Sequence, residues 1–244
     1  MKLGLGVLLG AGAACLLSTS ASAGELDGKW ALLEVTMTVA EVPMMGPVKV
    51  TRTMISVHDV TSDDTSMKSK ATLCSISVLG EKDLLKTTIG PKLFKVIPAP
   101  SLDAKLAKQD GKLSFFQASA PIVLGARLAS PDEALPTDAK DKRLWDQDLD
   151  LKPGITLKIS GMAEGDIHLS QRSWSRLDGF QRPDGTFGGI VRHGLTQAVV
   201  GATVPMLQQP PVNVPTIEGS HFRLGRLPKG GCKEAEELAK SWAQ

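Results

Sequence analysis

Apolar and polar residues alternate with a period of two through long stretches of this chain, and that alternation constrains the fold more than any other feature. In WALLEVTMTVAEV, the odd-numbered residues from Leu33 to Val39 are apolar, whereas Glu34, Thr36 and Thr38 lie between them. The pattern continues in VTRTMISVHDV and, after the polar SDD turn, in MKSKATLCSISV. Because successive side chains of a β-strand point to opposite faces, these segments predict three strands joined as an antiparallel meander.

The middle of the chain is less regular. LLKTTIGPKLFKVIPAPSLDAKL mixes a strand pattern with three prolines, and KLSFFQASAPIVLGARL predicts two short strands separated by Pro121. The charged segment ASPDEALPTDAKDKRLWDQD follows. Within it, the run from Ser130 to Glu133 has the cap, the first-turn proline and the acidic residues that predict a short helix.

The second half of the chain carries a similar set of strand signals. GITLKIS and DIHLSQRSWSRL flank a hairpin connection, and GIVRHGLTQAVV predicts a further strand with a break or bulge at Gly194. Four prolines from Pro205 to Pro215 predict an extended surface segment that cannot pair as a central strand. KEAEELAKSWA predicts a short amphipathic helix, because its apolar residues recur at helical spacing: Ala235, Leu238, Ala239 and Trp242.

These patterns predict a mainly β protein, with an antiparallel barrel-like or sandwich domain and a short C-terminal helix. A single β-rich domain over residues 24–244 is the leading interpretation. The alternative is two lobes, 24–125 and 146–231, joined by the charged segment.

Residues 1–23 have the parts of a secretory signal peptide. One lysine precedes an apolar run, and the segment ends in ASA, which fits an A-x-A cleavage site. We therefore expect a periplasmic or secreted protein whose mature chain begins at Gly24. A lipid-modified Cys15 and an uncleaved membrane anchor are the alternatives.

The charge balance argues against several classes of partner. The chain has 28 Lys and Arg residues against 26 Asp and Glu residues. This near-neutral total gives no electrostatic footprint for nucleic acid or for an anionic membrane. After the leader, no apolar stretch is long enough to cross a membrane as a helix. We therefore expect no nucleic-acid partner and no transmembrane segment in the mature chain.

Two cysteines follow the leader, Cys74 and Cys232. An even pair in an oxidising compartment favours a disulfide, which here would tie the C-terminal segment to the body of the protein. The alternative is a buried free thiol at Cys74 and an exposed one at Cys232.

Three aspartates stand at alternate positions in LWDQDLDLKPG, directly before a predicted strand. Asp146, Asp148 and Asp150 place three carboxylates where a tight loop can bring them to one hard cation, as calcium sites do. Against this, Leu149 and Leu151 stand where calcium loops carry glycine, and no acidic residue follows at the distance of a closing ligand. A calcium site and a solvated acidic loop without a cofactor are therefore both open.

Two short motifs resemble known families. The D-x-D-x-D-x-x-P-G loop resembles the D-x-D-G-D-G-x-P-G segments of uncharacterised, secreted, β-rich bacterial proteins, although both inner glycines are missing. The Gly28-Lys29-Trp30 start of the first strand resembles the G-x-W of lipocalin-like barrels, in which the tryptophan closes the barrel floor. That second resemblance implies a barrel with a small apolar ligand near Trp30; the alternative is an ordinary core tryptophan.

A basic and aromatic row is the other candidate binding feature. Arg172, Trp174 and Arg176 share one side of a predicted strand, which suits recognition of a carboxylate or a glycan. The alternative is that these long side chains cover a solvated face of the sheet.

The histidines give only weak signals. His168 and His193 lie on candidate neighbouring strands and meet if those strands align, whereas His58 beside Asp59 predicts a solvated hairpin end. No sequence motif for a serine nucleophile, a zinc site, a phosphate loop or a dinucleotide site occurs. We therefore identify no catalytic residues.

The leading functional hypothesis is an exported envelope protein without enzymatic activity that binds a small apolar or amphipathic ligand in its β body. The G-x-W start and four methionines in and between the first strands favour it: Met37, Met44, Met45 and Met54. The alternatives are a structural or protein-interaction module with no ligand cavity, and a hydrolase without a sequence signature.

Overall fold

Eleven β-strands and two α-helices make up the part of the chain that the computed structural model describes, residues 24–42, 46–99, 101–161, 163–209 and 212–242. The strands are β1 (Gly28–Val42), β2 (Gly46–Ser62), β3 (Ser66–Gly80), β4 (Leu85–Ile89), β5 (Asp103–Gln109), β6 (Lys112–Ala118), β7 (Ile122–Leu124), β8 (Ile155–Gly161), β9 (Gly165–Gln181), β10 (Phe187–Ala202) and β11 (Val212–Arg226). The helices are α1 (Pro91–Val96) and α2 (Cys232–Trp242). The predicted signal peptide, Cys15, Met44 and Met45 lie outside the described residues.

The prediction of a mainly antiparallel β protein is confirmed. β1, β2 and β3 form the predicted meander, and β8 and β9 form the predicted hairpin. Strands from both candidate lobes share one sheet, since β1 pairs with β11 and β6 pairs with β9.

The sheet closes on itself as a barrel-like ring. β11 lies between β1 and β10, and β10 pairs with β9 along almost its whole length. β4 and β8 connect β3 to β9 at one end of these two long strands, and β5 and β6 connect them at the other end. One wall of the barrel is therefore divided into two short strand pairs, and the two ends of the barrel differ.

The end bounded by β5 and β6 is filled with side chains. Trp30, Phe115, Phe187 and Phe222 are all buried there, and neighbouring ring centroids lie 5.4–6.0 Å apart. The indole Nε1 of Trp30 donates to the carbonyl oxygen of Leu26 at 2.8 Å. Large aromatic rings of this kind bury about 150–250 Å² each, so this cluster forms the main solid core.

In the middle of β1, the face that points into the barrel is the polar one. Glu34 and Thr36 are each only 2% exposed, whereas Met37 and Val39 on the opposite face are half-buried. The predicted alternation is present, but the side facing the interior is the one that carries a charge.

The C-terminal helix packs on the outside of the barrel against β1, β2 and β3. The helix buries its own Ala235 and Ala239 against these strands. Its first residue, Cys232, is disulfide-bonded to Cys74 of β3. The predicted helix and the predicted disulfide are both confirmed.

The predicted helix at Ser130 is wrong, because this segment forms a single turn. The Glu133 N–H donates to the Ser130 carbonyl at 3.2 Å, and the Glu133 carboxylate accepts from the Ala129 N–H at 2.6 Å and from Arg143 at 2.7 Å. The chain then meets Pro136, which has no N–H with which to continue a helix.

The bulge predicted at Gly194 lies farther along β10. The irregularity in β10 falls between Val199 and Gly201, whereas Gly194 lies directly opposite Trp174 in regular pairing. A Cβ atom on Gly194 would lie 2.3 Å from Nε1 of Trp174, so the close approach of the indole requires glycine there.

The last part of the proline-rich segment enters the sheet, but not as a central strand. Pro215 of β11 lies opposite Thr38 of β1. β10 pairs with β11 only between Phe187–Ile190 and His221–Leu224. The first half of β11 is therefore a strand edge on its β10 side, and a proline is tolerated there because no ladder hydrogen bond is lost.

His58 is fully buried, so the prediction of a solvated hairpin end is wrong. Its Nε2 lies 2.8 Å from the Ser56 hydroxyl, and its Nδ1 lies 2.8 Å from the Ser69 hydroxyl on β3. Asp59 points to the other face and pairs with Lys29 at 2.7 Å. Burial lowers the pKa of His58 to about 4, although the charge of Asp59 opposes that shift.

Lowering the pH from about 7 to about 4.5 is expected to reduce the stability of the wild type more than that of His58→Gln. The pKa of His58 is about 4 in the folded protein and about 6.5 in the unfolded chain. The neutral ring therefore contributes stability above pH ~6.5 that is lost as the pH falls toward 4, by up to about 3 kcal/mol. Urea denaturation curves at several pH values measure this, and equal pH slopes in the two proteins would contradict it.

Candidate ligand-binding site

A partly open cavity of about 250 Å³ lies at the end of the barrel bounded by β4 and β8. Most of its wall is aliphatic and comes from β4, β8, β9, β10 and α1. Representative wall residues are Leu85, Ile89, Leu93, Leu157, Ile159 and Ile167. The chain thus fills one end of its barrel and leaves space at the other.

An ion pair between a buried carboxylate and a half-buried guanidinium lies at the polar side of the cavity. Arg52 of β2 donates from Nη2 to the Glu34 carboxylate at 2.9 Å and from Nε to the Thr36 hydroxyl at 3.2 Å. The other Glu34 oxygen accepts from the Ser175 hydroxyl at 3.3 Å. Both carboxylate oxygens of Glu34 are therefore engaged, and the charges of the two residues cancel within the site.

His193 of β10 also faces the cavity. Its Nε2 lies 3.2 Å from the Thr38 hydroxyl, while its Nδ1 is buried and has no hydrogen-bond partner among the described residues. The side chain is only 8% exposed. This nitrogen is consequently free to donate to or accept from a bound molecule.

The surroundings shift the pKa of both Glu34 and His193. Burial raises the pKa of Glu34, and the charge of Arg52 together with the hydrogen bonds from Ser175 and Arg52 opposes that shift. Burial lowers the pKa of His193 to about 4, and the nearby charge of Arg52 acts in the same direction. His193 is therefore a neutral imidazole at pH 7, with one donor and one acceptor nitrogen.

Most of the site residues expected from sequence lie elsewhere. Trp30 belongs to the filled end of the barrel and does not line the cavity, and the Arg226 guanidinium lies 5.1 Å from the centre of its ring. Arg172 donates to the carbonyl oxygens of Pro131 and Glu133, so it holds the charged segment in place.

Arg176 and Trp174, the other two members of the basic and aromatic row, make different contacts. The Arg176 guanidinium lies 5.6 Å from the centre of the Phe116 ring. Trp174 borders the cavity, is 42% exposed and lies against Gly194. Of the four residues expected to bind ligand, Trp174 alone adjoins the cavity.

His168 and His193 lie on neighbouring strands but do not meet. His193 lies opposite Ser175 in the β9–β10 pairing, whereas His168 lies opposite Gly201 near the other end of the strands. His168 Nδ1 instead contacts the Thr156 hydroxyl at 2.8 Å, beside the aspartate loop.

The aspartate loop brings its three carboxylates together. One oxygen from each of Asp146, Asp148 and Asp150 lies within 4.8 Å of the others. Asp146 accepts the N–H groups of Asp150 at 3.1 Å and Leu151 at 2.9 Å. Burial raises the pKa of Asp148, and the charges of Asp150 and Asp146 act in the same direction.

The two leucines in glycine positions adopt the backbone conformation that glycine would supply. Leu149 has φ 56° and Leu151 has φ 68°, both in the left-handed region. Their side chains point into solvent, with exposed fractions of 70% and 93%. The loop therefore keeps its tight path without glycine, at a cost of about 1–2 kcal/mol per residue.

Sequence reasoning did not single out Glu34, Arg52 or His193 as a group. A signal was present, because Glu34 and Arg52 have opposite charges and lie on consecutive strands of the meander. Thr36 lies directly opposite Arg52 in that pairing. Opposite charges on one face of a hairpin indicate either a solvated pair or a buried polar site, and only the closure of the barrel decides between them.

Comparisons with protein-family models, with curated proteins and with solved structures found no match. Within the described residues, neither helix is long and apolar enough to span a bilayer.

Proposed function

We propose that this is an exported protein of the cell envelope, periplasmic or secreted, that binds a small amphipathic ligand inside its barrel. The observation that carries the proposal is the cavity of about 250 Å³, with an aliphatic wall and one polar side formed by Glu34, Arg52 and His193. Small-molecule sites are typically apolar concavities of about 300–1,000 Å³ in which a few polar groups orient the ligand. The cavity lies just below that range.

The aliphatic wall favours an alkyl or alicyclic portion in the ligand. Leu93, Ile155 and Leu157 are buried by the fold and still border the open space. A ligand that fills this space gains dispersion contacts with the wall and removes its own apolar surface from water, at about 25 cal/mol per Å². The affinity contributed by the apolar portion of the ligand is non-directional and depends on how completely that portion fills the cavity.

The polar side favours an uncharged hydrogen-bonding group in the ligand, such as a hydroxyl or a carbonyl. Glu34 and Arg52 neutralise each other, so the site holds no spare charge for an ionised head group. A second carboxylate would lie beside Glu34 and lose its hydration without a free counter-charge. His193 Nδ1, by contrast, belongs to a neutral ring and lacks a hydrogen-bond partner among the described residues.

The gap between β10 and β11 is the route that we propose for the ligand. The two strands stop pairing beyond Ile190 and His221. Farther along, Asn213 Nδ2 donates to the Gln197 side-chain oxygen at 3.2 Å, and both residues border the cavity. Side chains rather than a backbone ladder therefore close this part of the wall.

Export is supported by the signal-peptide pattern of residues 1–23 and by the Cys74–Cys232 disulfide, a bond typical of oxidising compartments. Two alternatives are less well supported. A purely structural or interaction module needs no cavity. A hydrolase needs a nucleophile beside an oriented base, whereas His193 contacts Thr38 and no described carboxylate orients its ring.

Val199→Trp is expected to abolish ligand binding by filling the cavity. Val199 borders the open space from β10. Thr196→Trp on the exposed side of the same strand is the matched control and should bind as the wild type does. Native mass spectrometry of protein purified from its own compartment, followed by calorimetric titration with decanol, measures the effect. Equal binding by both variants, or no binding by the wild type, would contradict the proposal.

A comparison of decanol with decanoate tests the polar side of the cavity by itself. At pH 7, decanol is expected to bind about tenfold or more tightly than decanoate, a difference of about 1.4 kcal/mol or more, because the site has no free positive charge. Tighter binding of decanoate would overturn the charge argument while leaving ligand binding in place.

A further inference from the structure

The base of the aspartate loop is fixed on both sides. The Trp145 N–H donates to the Gly125 carbonyl at 3.0 Å, and the Gln147 N–H donates to the Gly154 carbonyl at 3.2 Å. The Gln147 side chain accepts from the Gly125 N–H at 2.9 Å and donates to the Val96 carbonyl at 3.3 Å. The loop is therefore held against α1, and its carboxylates are preorganised.

Asp148 is the buried member of the loop, with an exposed fraction of 5%. Its Oδ2 accepts the Thr156 N–H at 3.0 Å, but its Oδ1 is buried and has no hydrogen-bond partner among the described residues. A buried polar atom without a partner costs about 1–3 kcal/mol, and more if it is charged. The carboxylate that carries this oxygen belongs to the same cluster as the carboxylates of Asp146 and Asp150.

No described cationic side chain forms an ion pair with these carboxylates. In the described part of the chain, none of the three carboxylates has a lysine, arginine or histidine nitrogen within ion-pair distance. Lys92 reaches the loop from α1, yet its Nζ donates to the Leu149 carbonyl at 2.9 Å and not to a carboxylate. Three converging acidic groups thus share a half-buried site without a counter-ion from the protein.

We infer that Asp146, Asp148 and Asp150 form a Ca²⁺ site in which the unpartnered Oδ1 of Asp148 is a ligand. An all-oxygen set suits a hard cation, and calcium accepts irregular oxygen geometry at 2.3–2.6 Å more readily than magnesium does. The ion supplies the partner that the buried oxygen lacks and removes the repulsion among the three carboxylates. Solvent water completes the coordination on the open side of the loop.

The site also affects the ligand cavity. Ile155, which begins β8 directly after the loop, and Leu93 of α1 both line the cavity wall. Because Gln147 ties the loop to α1, an ion that stiffens the loop also stiffens this part of the wall.

Addition of about 10 mM Ca²⁺ to chelator-treated protein is expected to raise the melting temperature by about 3–10 °C. This range follows if the dissociation constant is about 0.1–1 mM, as in extracellular calcium modules, and if the ion binds only the folded chain. Asp148→Asn should lose most of the shift. Asp132→Asn, an exposed change of the same charge in the same segment, should keep it.

Terbium provides a second readout that does not depend on stability. Trp145 adjoins Asp146, so excitation of its indole should sensitise emission from Tb³⁺ bound in the loop. Excess Ca²⁺ should quench the emission, and Trp145→Phe should remove it while preserving the calcium-dependent melting shift. Absence of both the melting shift and the sensitised emission in the wild type would overturn the inference, as would an unchanged calcium response in Asp148→Asn.

Discussion

Arg52→Met is expected to destabilise the folded protein by up to about 3–5 kcal/mol, the cost of leaving a buried charge without its partner. Glu34 is 2% exposed and lies within the barrel, 2.9 Å from the Arg52 guanidinium. Without Arg52, the ionised carboxylate keeps only its hydrogen bond from Ser175. Urea denaturation followed by circular dichroism measures the loss.

The control for burial is the exposed ion pair between Lys29 and Asp59, whose side chains are 43% and 63% exposed. Lys29→Met should cost no more than about 1 kcal/mol, because solvent screens that pair. The double variant Glu34→Gln with Arg52→Met should recover much of the stability lost in Arg52→Met. If it recovers none, the loss reflects the packing of the arginine stem and not the stranded charge.

The pH dependence gives an independent check of the same pair. Burial raises the pKa of Glu34 above its unfolded value, and Arg52 opposes that shift. Removal of Arg52 therefore raises the pKa further. A carboxyl with a raised pKa in the folded state contributes stability at low pH that is lost as the pH rises through the folded pKa. The destabilisation by Arg52→Met should accordingly be larger at pH 7 than at pH 4.5.

The strands could be predicted because their signal is local. Period-two alternation and polar turns lie within segments of ten to twenty residues, and they place the meander and the β8–β9 hairpin. The sequence does not predict α1, because strand-like flanks and three nearby prolines obscure its pattern, although Pro91 occupies the first helical turn, where proline is favoured. The sequence does not predict β5 as a separate strand, because DAKLAKQ is short and rich in charged residues.

The candidate site could not be predicted because it depends on long-range closure. Glu34 and Thr36 look like a solvated strand face until β9 and β10 complete the ring around them. Ser175 and His193 reach that interior from more than a hundred residues farther along the chain. The aspartate loop, by contrast, is contiguous, so its three candidate ligands were identifiable from spacing alone, whereas the burial of Asp148 was not.

Removal of the disulfide by a Cys74→Ala and Cys232→Ala double substitution is expected to lower the free energy of unfolding by about 2–5 kcal/mol. The bond joins residues separated by 158 positions. The crosslink therefore encloses every strand from the middle of β3 to the end of β11. In the chain-entropy view, a loop of this length restricts the unfolded state strongly, with an upper limit of about 5 kcal/mol.

The matched control is the wild type in reductant. Reduced wild type and the double variant should unfold at the same urea concentration, and reductant should not affect the variant. The alternative outcome is that only α2 detaches from the barrel. α2 buries mainly the small side chains of Ala235 and Ala239, and an isolated helix of 11 residues is marginally stable in water. If only α2 is released, Trp242 fluorescence will change at low urea while the strand signal keeps its wild-type midpoint. That result would show that the disulfide holds the helix on the barrel and does not stabilise the barrel itself.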